Sequence, residues 1–213
     1  MPGEIGSVFA LRAVKIVAAL KRRAMEGYFA ADRLEAAGVL RSLMPRGQSV
    51  AWGGSVSLAR DLGFIDEVRS GPYRVIDRDA AATPEEAEKA FRESFCADTY
   101  LMGTNAITMD GELVNVDARG NRVAALAFGP RQVIVVAGRN KVCADLPSAM
   151  RRAREEAAPP NALRLGYRTP CSVDGLCHDC LGETCICCQT LVTRMSRVPG
   201  RIKVVLVGEE LGF

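Results

Sequence analysis

The sequence predicts a three-layer α/β domain built on a mostly parallel sheet. Strand-like and helix-like segments alternate along the chain, the pattern of βαβ units. Gln132-Val133-Ile134-Val135-Val136-Ala137 is an unbroken apolar run rich in β-branched residues, as expected of a central parallel strand buried on both faces. A second such run follows at residues 202–208. The 213 residues are 48% hydrophobic and 25% charged, enough for one globular domain, taken as 1–213.

Element by element, residues 8–26 read as an amphipathic helix ending near Gly27, and residues 27–30 as a short strand. Asp32 is placed to cap a helix reaching about Met44, stopped by Pro45 and Gly47. Residues 49–52 are a strand, followed by a short helix through Leu58 to Leu62 and a strand over residues 73–76. Thr83-Pro84-Glu85-Glu86 combines a capping hydroxyl, a proline in the first turn and acids where the helix dipole favours them. Residues 98–103 form another strand. Asp110-Gly111 between two apolar runs signals a hairpin. Residues 122–126 suggest one or two helical turns. Residues 145–157 make a charged helix that Pro159-Pro160 should stop, with another starting at Asn161.

Composition excludes several functions. A formal net charge of +3 offers no case for nucleic acid or an anionic membrane. No run approaches the roughly 20 apolar residues of a membrane span. The apolar stretch at residues 8–20 is broken by Arg12 and Lys15 and has its basic cluster after it, unlike a secretory leader, so a cytoplasmic protein is expected.

Three turns follow three of the expected strands: Gly53-Gly54-Ser55, Gly103-Thr104-Asn105 and Gly138-Arg139-Asn140-Lys141. Ligands of open parallel sheets bind beyond the carboxyl ends of strands, where glycine lets backbone amides approach an anion. Gly53, Gly54, Ser55, Asn105, Asn140 and Lys141 are therefore candidate contacts for a small anionic ligand. Asp117, Asn121 and Arg122 join them, as part of a polar knot with Asn115. The standard dinucleotide and P-loop fingerprints are absent. The only histidine, His178, lies among cysteines, so no Ser–His or Cys–His pair is available elsewhere.

Six of the eight cysteines fall within residues 171–188. Clustering of this kind in a reducing compartment points to metal rather than disulfide. Cys177-x-x-Cys180 forms a ligand knuckle. Cys171, with one of Cys185, Cys187 or Cys188, completes four thiolates, which suit zinc or iron–sulfur chemistry. Neither ferredoxin nor zinc-ribbon spacing is present. Residues 168–190 are thus expected to form a metal-binding loop, with His178 beside the ligands rather than among them. Cys96 and Cys143 read as small core residues.

Several stretches together resemble the lactate-utilisation (LUD) domain family, which includes the LutC-like proteins. They are Lys21-Arg22-Arg23-Ala24-Met25-Glu26-Gly27-Tyr28, Trp52-Gly53-Gly54-Ser55, Asn105-Ala106-Ile107-Thr108-Met109-Asp110-Gly111-Glu112-Leu113-Val114-Asn115, Gly120-Asn121-Arg122-Val123-Ala124-Ala125, Phe128-Gly129-Pro130, Asn140-Lys141 and Val207-Gly208-Glu209-Glu210-Leu211-Gly212-Phe213. The resemblance implies a fold similar to the sugar-phosphate isomerase and CoA-transferase superfamily. It also implies work beside iron–sulfur subunits in the oxidation of lactate to pyruvate. A branch with the loop Pro-Cys-x5-Cys-x2-Cys-x6-Cys matches Pro170, Cys171, Cys177, Cys180 and Cys187, which selects Cys187 as fourth ligand and a 4Fe–4S iron–sulfur cluster ahead of zinc. The leading expectation is a redox accessory or electron-transfer subunit. The alternatives are an enzyme that binds a phosphorylated, nucleotide-like or CoA-like ligand and carries a structural zinc, and a redox-sensing regulatory or scaffold protein. An oligomer is left open.

Overall fold

The computed structural model describes residues 3–213. Helix α1 (Glu4–Arg22) buries Phe9, Ala13, Ile16, Ala19 and Leu20 at helical spacing. Strand β1 (Glu26–Ala30) follows, then α2 (Arg33–Ser42), whose first turn is capped by Asp32 through the Glu35 N–H. Strand β2 (Ser49–Trp52) is buried at every position. A single π turn (Ser57–Asp61) and α3 (Phe64–Ser70) lead to β3 (Arg74–Ile76). Helix α4 (Pro84–Glu93) starts at the Thr83 cap and precedes β4 (Thr99–Gly103).

Strands β5 (Ala106–Thr108) and β6 (Leu113–Asp117) form the expected antiparallel hairpin, with Gly111 at φ 84° in the turn. Helix α5 (Asn121–Ala127) leads into β7 (Gln132–Gly138), and β8 (Val142–Cys143) follows. Helix α6 (Leu146–Arg152), a π turn (Ala153–Ala157) and α7 (Ala158–Arg164) run on without a break. The short α8 (Pro170–Asp174), β9 (Gln189–Thr193) and β10 (Ile202–Val207) complete the order.

The main sheet has the strand order β1-β10-β7-β4-β2-β3, and all its pairings are parallel. Its two faces are covered differently. Val133, Val135, Val204 and Leu206 meet α1 and α5, while Ile134, Val136, Val205 and Val207 meet α2, the π turn and α3. This alternation along β7 and β10 makes the three-layer arrangement that the sequence predicts. A second, four-stranded sheet has the order β8-β5-β6-β9. Ile107 and Leu113 of that sheet join the α1 core, and Ala106, Val114 and Val116 pack on α6.

Three expectations change. Pro159 and Pro160 do not stop the helix. The preceding π turn places them in the first turn of α7, where a missing N–H costs little. Cys96 lies exposed on a short 3-10 turn rather than in the core, and Cys143 is half-buried against α6. Strand β9 was not anticipated within the stretch after the cysteines. No helix among the described residues is long and apolar enough to cross a membrane.

Candidate functional site

Strands β2 and β4 are neighbours, yet their outgoing connections part. The chain leaving β2 passes through the π turn and α3 on one face. The chain leaving β4 passes through the hairpin and α5 on the other. Such a reversal opens a crevice at the carboxyl edge of a parallel sheet. A cleft of about 870 Å³ lies there.

Two glycines let its banks approach. The Gly53 N–H donates to Leu101 O at 3.0 Å, so the loop clings to β4 for one residue beyond β2. A Cβ on Gly53 would come within 3.0 Å of the Tyr100 hydroxyl and Arg122 Cδ. One on Gly103 would come within 3.0 Å of Ser55 Oγ. Burial pushes the Tyr100 phenol up to about 12, so it stays neutral beneath this loop.

Arg122 organises the β4–β5 bank. Its Nη1 donates to Asn115 Oδ1 at 2.5 Å and to Gly103 O at 3.2 Å. Its Nη2 donates to Val116 O at 2.5 Å and to Asn105 Oδ1 at 3.0 Å, and its Nε lies 3.5 Å from Asp117 Oδ2. With every donor engaged, Arg122 is a strut that fixes Asn105 and Asp117, and its charge adds to the field of the cleft. Asp117 also accepts the Gly120 N–H at 3.1 Å, and Gly120, at φ 85°, turns the chain into α5 at Asn121.

Gly53, Gly54, Ser55, Asn105, Asp117, Asn121, Arg122 and Lys141 all line the cleft, so the structure brings residues of the three loops and of the polar knot together. Asn140 faces elsewhere. Its amide accepts the Leu211 N–H at 3.1 Å and donates to Gly212 O at 3.3 Å, holding that segment across the end of β7.

Sequence reasoning missed most of the cationic wall. Arg60, Arg69, Arg78, Arg119 and Arg164 line the cleft beside Trp52, Phe91, Tyr167 and Phe213, while its lining acids are Asp79 and Asp117. Arg78 and Arg119 stack on Phe91 at 4.8 and 4.7 Å, and Arg69 lies 5.3 Å from the Trp52 ring. Arg69, Arg78 and Arg119 also pair with Asp77, Asp79 and Glu88. Arg164 and Lys141 have no carboxylate within ion-pair distance among the described residues. Lys141 is only 5% exposed and donates to Ser57 Oγ at 3.0 Å. Burial first, then Arg152 and Arg122, bring its ammonium down to about 7, against a small opposing pull from Asp61.

The cysteines collect on the far side of α7. Cys171 is buried with Ile186 against Ala158 and Ala162, its sulfur 3.1 Å from the Thr169 hydroxyl. Burial, with Cys185, Cys171, Cys177 and Cys180 around it, pushes the Cys187 thiol up to about 12. Cys185 Sγ accepts the Cys187 N–H at 3.4 Å, and burial first, then Cys185, pushes the Cys180 thiol up. Five sulfurs therefore share one neighbourhood, Cys185 included, and Cys188, exposed at its edge, donates to Cys185 O at 3.3 Å. No three His, Cys, Asp or Glu side chains among the described residues stand in a ligating arrangement. His178, half-exposed, bonds Asp174 Oδ2 at 2.8 Å.

No curated protein matches this sequence. The crystal structure of a DUF162 family protein from Deinococcus radiodurans is similar over 93% of this chain and 97% of that one, at 14% identity and a TM-score of 0.51, which shows the shared fold. The eIF2B delta and beta structures from Chaetomium thermophilum align over 57% and 55% of this chain and 54% and 44% of theirs. Their identities are 15% and 17% and their TM-scores 0.35, too low to bear on the fold. The LUD domain family profile matches residues 14–207, from within α1 to the end of β10. The chain belongs to the LUD domain family and is a protein of the lactate-utilisation type.

Proposed function

We propose that the carboxyl-edge cleft binds a small anionic ligand of the phosphorylated, nucleotide-like or CoA-like kind. The observation that carries this reading is the imbalance of charge in its lining. Six arginines and Lys141 face two aspartates, and Arg164 and Lys141 have no carboxylate within ion-pair distance among the described residues. An excess of cations around a cleft focuses potential on an anion, and guanidinium forks match phosphate oxygens. Stacked aromatics at Trp52 and Phe91 add apolar surface for a base or pantetheine arm. Thermal denaturation with pyrophosphate, ATP and coenzyme A is the test. At least one should raise Tm, less so as salt increases. If none of them shifts Tm at low salt, the reading is wrong.

The five grouped sulfurs favour a second reading, that of a redox accessory or electron-transfer subunit of the LutC-like branch, acting in lactate-to-pyruvate oxidation beside iron–sulfur subunits. Cys171, Cys177, Cys180 and Cys187 would hold a 4Fe–4S cluster, or zinc in its place, with Cys185 near enough to substitute. The chemistry of the donor set suits such a group, since soft thiolates that repel one another when ionised are stabilised by a shared cation, and binding would have to draw together sulfurs that do not stand in a ligating arrangement. A bound cluster would supply one-electron chemistry. Anaerobic purification with visible absorption and metal analysis decides the matter: a brown, iron-containing protein supports the cluster, and a colourless protein with stoichiometric zinc makes the loop structural.

A further inference from the structure

The floor of the cleft holds an amine in surroundings that oppose its charge. Lys141 is 5% exposed, and its one hydrogen-bond partner among the described residues is Ser57 Oγ at 3.0 Å. Arg122 comes toward it from α5 and Arg152 from α6. Asp61, on the π turn, is the one acid whose charge reaches it. That carboxylate is already engaged, with Oδ1 at 2.8 Å from Arg60 and Oδ2 accepting the Gly212 N–H at 2.5 Å. Arg152 is spent as well, donating to Asn140 O at 2.7 Å and Asn105 O at 2.5 Å.

The space beside the amine is kept by main chain. A Cβ on Gly103 would lie 3.7 Å from Nζ and one on Gly212 3.5 Å. Lys141 itself is among the residues that line the cleft, on the side where a ligand would sit. A lysine that served only as a counter-charge would be better placed beside solvent or an acid. Burial among cations instead favours the free base, the form in which an amine attacks carbon.

We propose that Lys141 is a nucleophile that forms an imine with a carbonyl compound carrying an anionic group, either a 2-oxo acid or a phosphorylated ketone. The proposal rests on the reading of the cleft as an anion site. The Nζ lone pair makes the C–N bond, and the carbonyl π pair moves to oxygen. The two amine protons pass to that oxygen, with Ser57 Oγ at 3.0 Å in place to relay them. Water leaves and C=N remains, so atoms and charge balance with no oxidant or reductant. Arg164 donates through Nε and Nη2 to Asn161 Oδ1 at 3.1 and 2.8 Å but has no carboxylate partner among the described residues, so its charge is left for the ligand's anionic group.

The test uses the full wild-type chain, so it does not depend on a variant folding. The protein is incubated with pyruvate in one arm and dihydroxyacetone phosphate in the other, each with cyanoborohydride, and its lysines are mapped by peptide mass. Lys15, Lys21, Lys89 and Lys203 are internal controls. Lys141 should carry on the order of tenfold or more adduct than Lys89 in at least one arm, because an ordinary lysine is almost wholly protonated near neutral pH. The arm that labels tells oxo acid from phosphorylated ketone. Labelling of Lys141 no greater than that of Lys89 in both arms overturns the proposal. Thermal stabilisation by pyrophosphate without an adduct overturns the imine and leaves the anion cleft standing. An adduct on Lys141 without stabilisation by any anion upholds the imine and overturns the anion reading.

Discussion

Arg122 and Lys141 are two buried cations that the molecule treats in opposite ways. Arg122 has every donor satisfied by Asn105, Asn115, Asp117 and two carbonyls, so its removal strands several buried acceptors at once. Arg122→Met should cost about 3–5 kcal/mol, the range for breaking a buried charge network, read from urea midpoints at unchanged m-value. Lys141 has one hydroxyl partner, and its charge is a liability. In the folded chain it loses its proton near 7, against an ordinary 10.5. Between those values the unfolded chain binds more protons, so this residue makes stability rise with pH across that window, while below about 7 the folded state bears the full cost. Lys141→Met should therefore flatten the stability–pH curve between about 7 and 10.5 and leave the protein more stable at neutral and lower pH. Urea denaturation across that range checks it, and a parallel shift at all pH values would contradict it.

At the level of elements, α4 is the least anchored wall of the cleft. It buries no residue fully and is held by the Thr83 cap, by Glu88 on Arg119 and by Phe91 between Arg78 and Arg119. Loss of the cap by Thr83→Ala should cost about 1 kcal/mol locally. Hydrogen exchange over residues 85–93 should then quicken by about fivefold while β7 is unaffected. Elements like this one were legible in the sequence because their signals are local: Thr83-Pro84 and Asp32 for caps, Asp110-Gly111 for the hairpin, the β-branched run of β7. Strand β9 was not legible, because Gln189-Thr190-Leu191-Val192-Thr193 has no strong pattern of its own and is a strand only through its pairing with β6. Helix α3 escaped because it has seven residues and a left-handed glycine, Gly63, where a side-chain cap would be sought. Pro159-Pro160 misled because a π turn, which no local rule announces, resets the helix before them.

Across the whole molecule, the loops that follow β2, β4 and β7 were readable as one site, since parallel strands must present their carboxyl ends together. The arginine wall was not. Arg60, Arg69, Arg78, Arg119 and Arg164 sit on turns and helix ends where a solvated cation is the ordinary interpretation, and only the folding of α3, α4 and α7 around the β2–β4 crevice gathers them about its mouth. Because that wall acts as a field, Arg78→Ala and Arg164→Ala should each weaken pyrophosphate stabilisation and reduce its salt dependence, measured as Tm shift at two ionic strengths. The partition formed by α7 and Ile186 has a consequence that neither site reveals separately. Asn161 and Arg164 look into the cleft, Ala158 and Ala162 press on Cys171, and Ile186 belongs to both sides. One thin bulkhead thus divides the proposed anion berth from a bed of sulfurs, and whatever stiffens it from one side should be felt on the other in equal measure. Trimming it with Ile186→Ala should speed alkylation of Cys171 and, in the same protein, shrink the Tm shift caused by pyrophosphate.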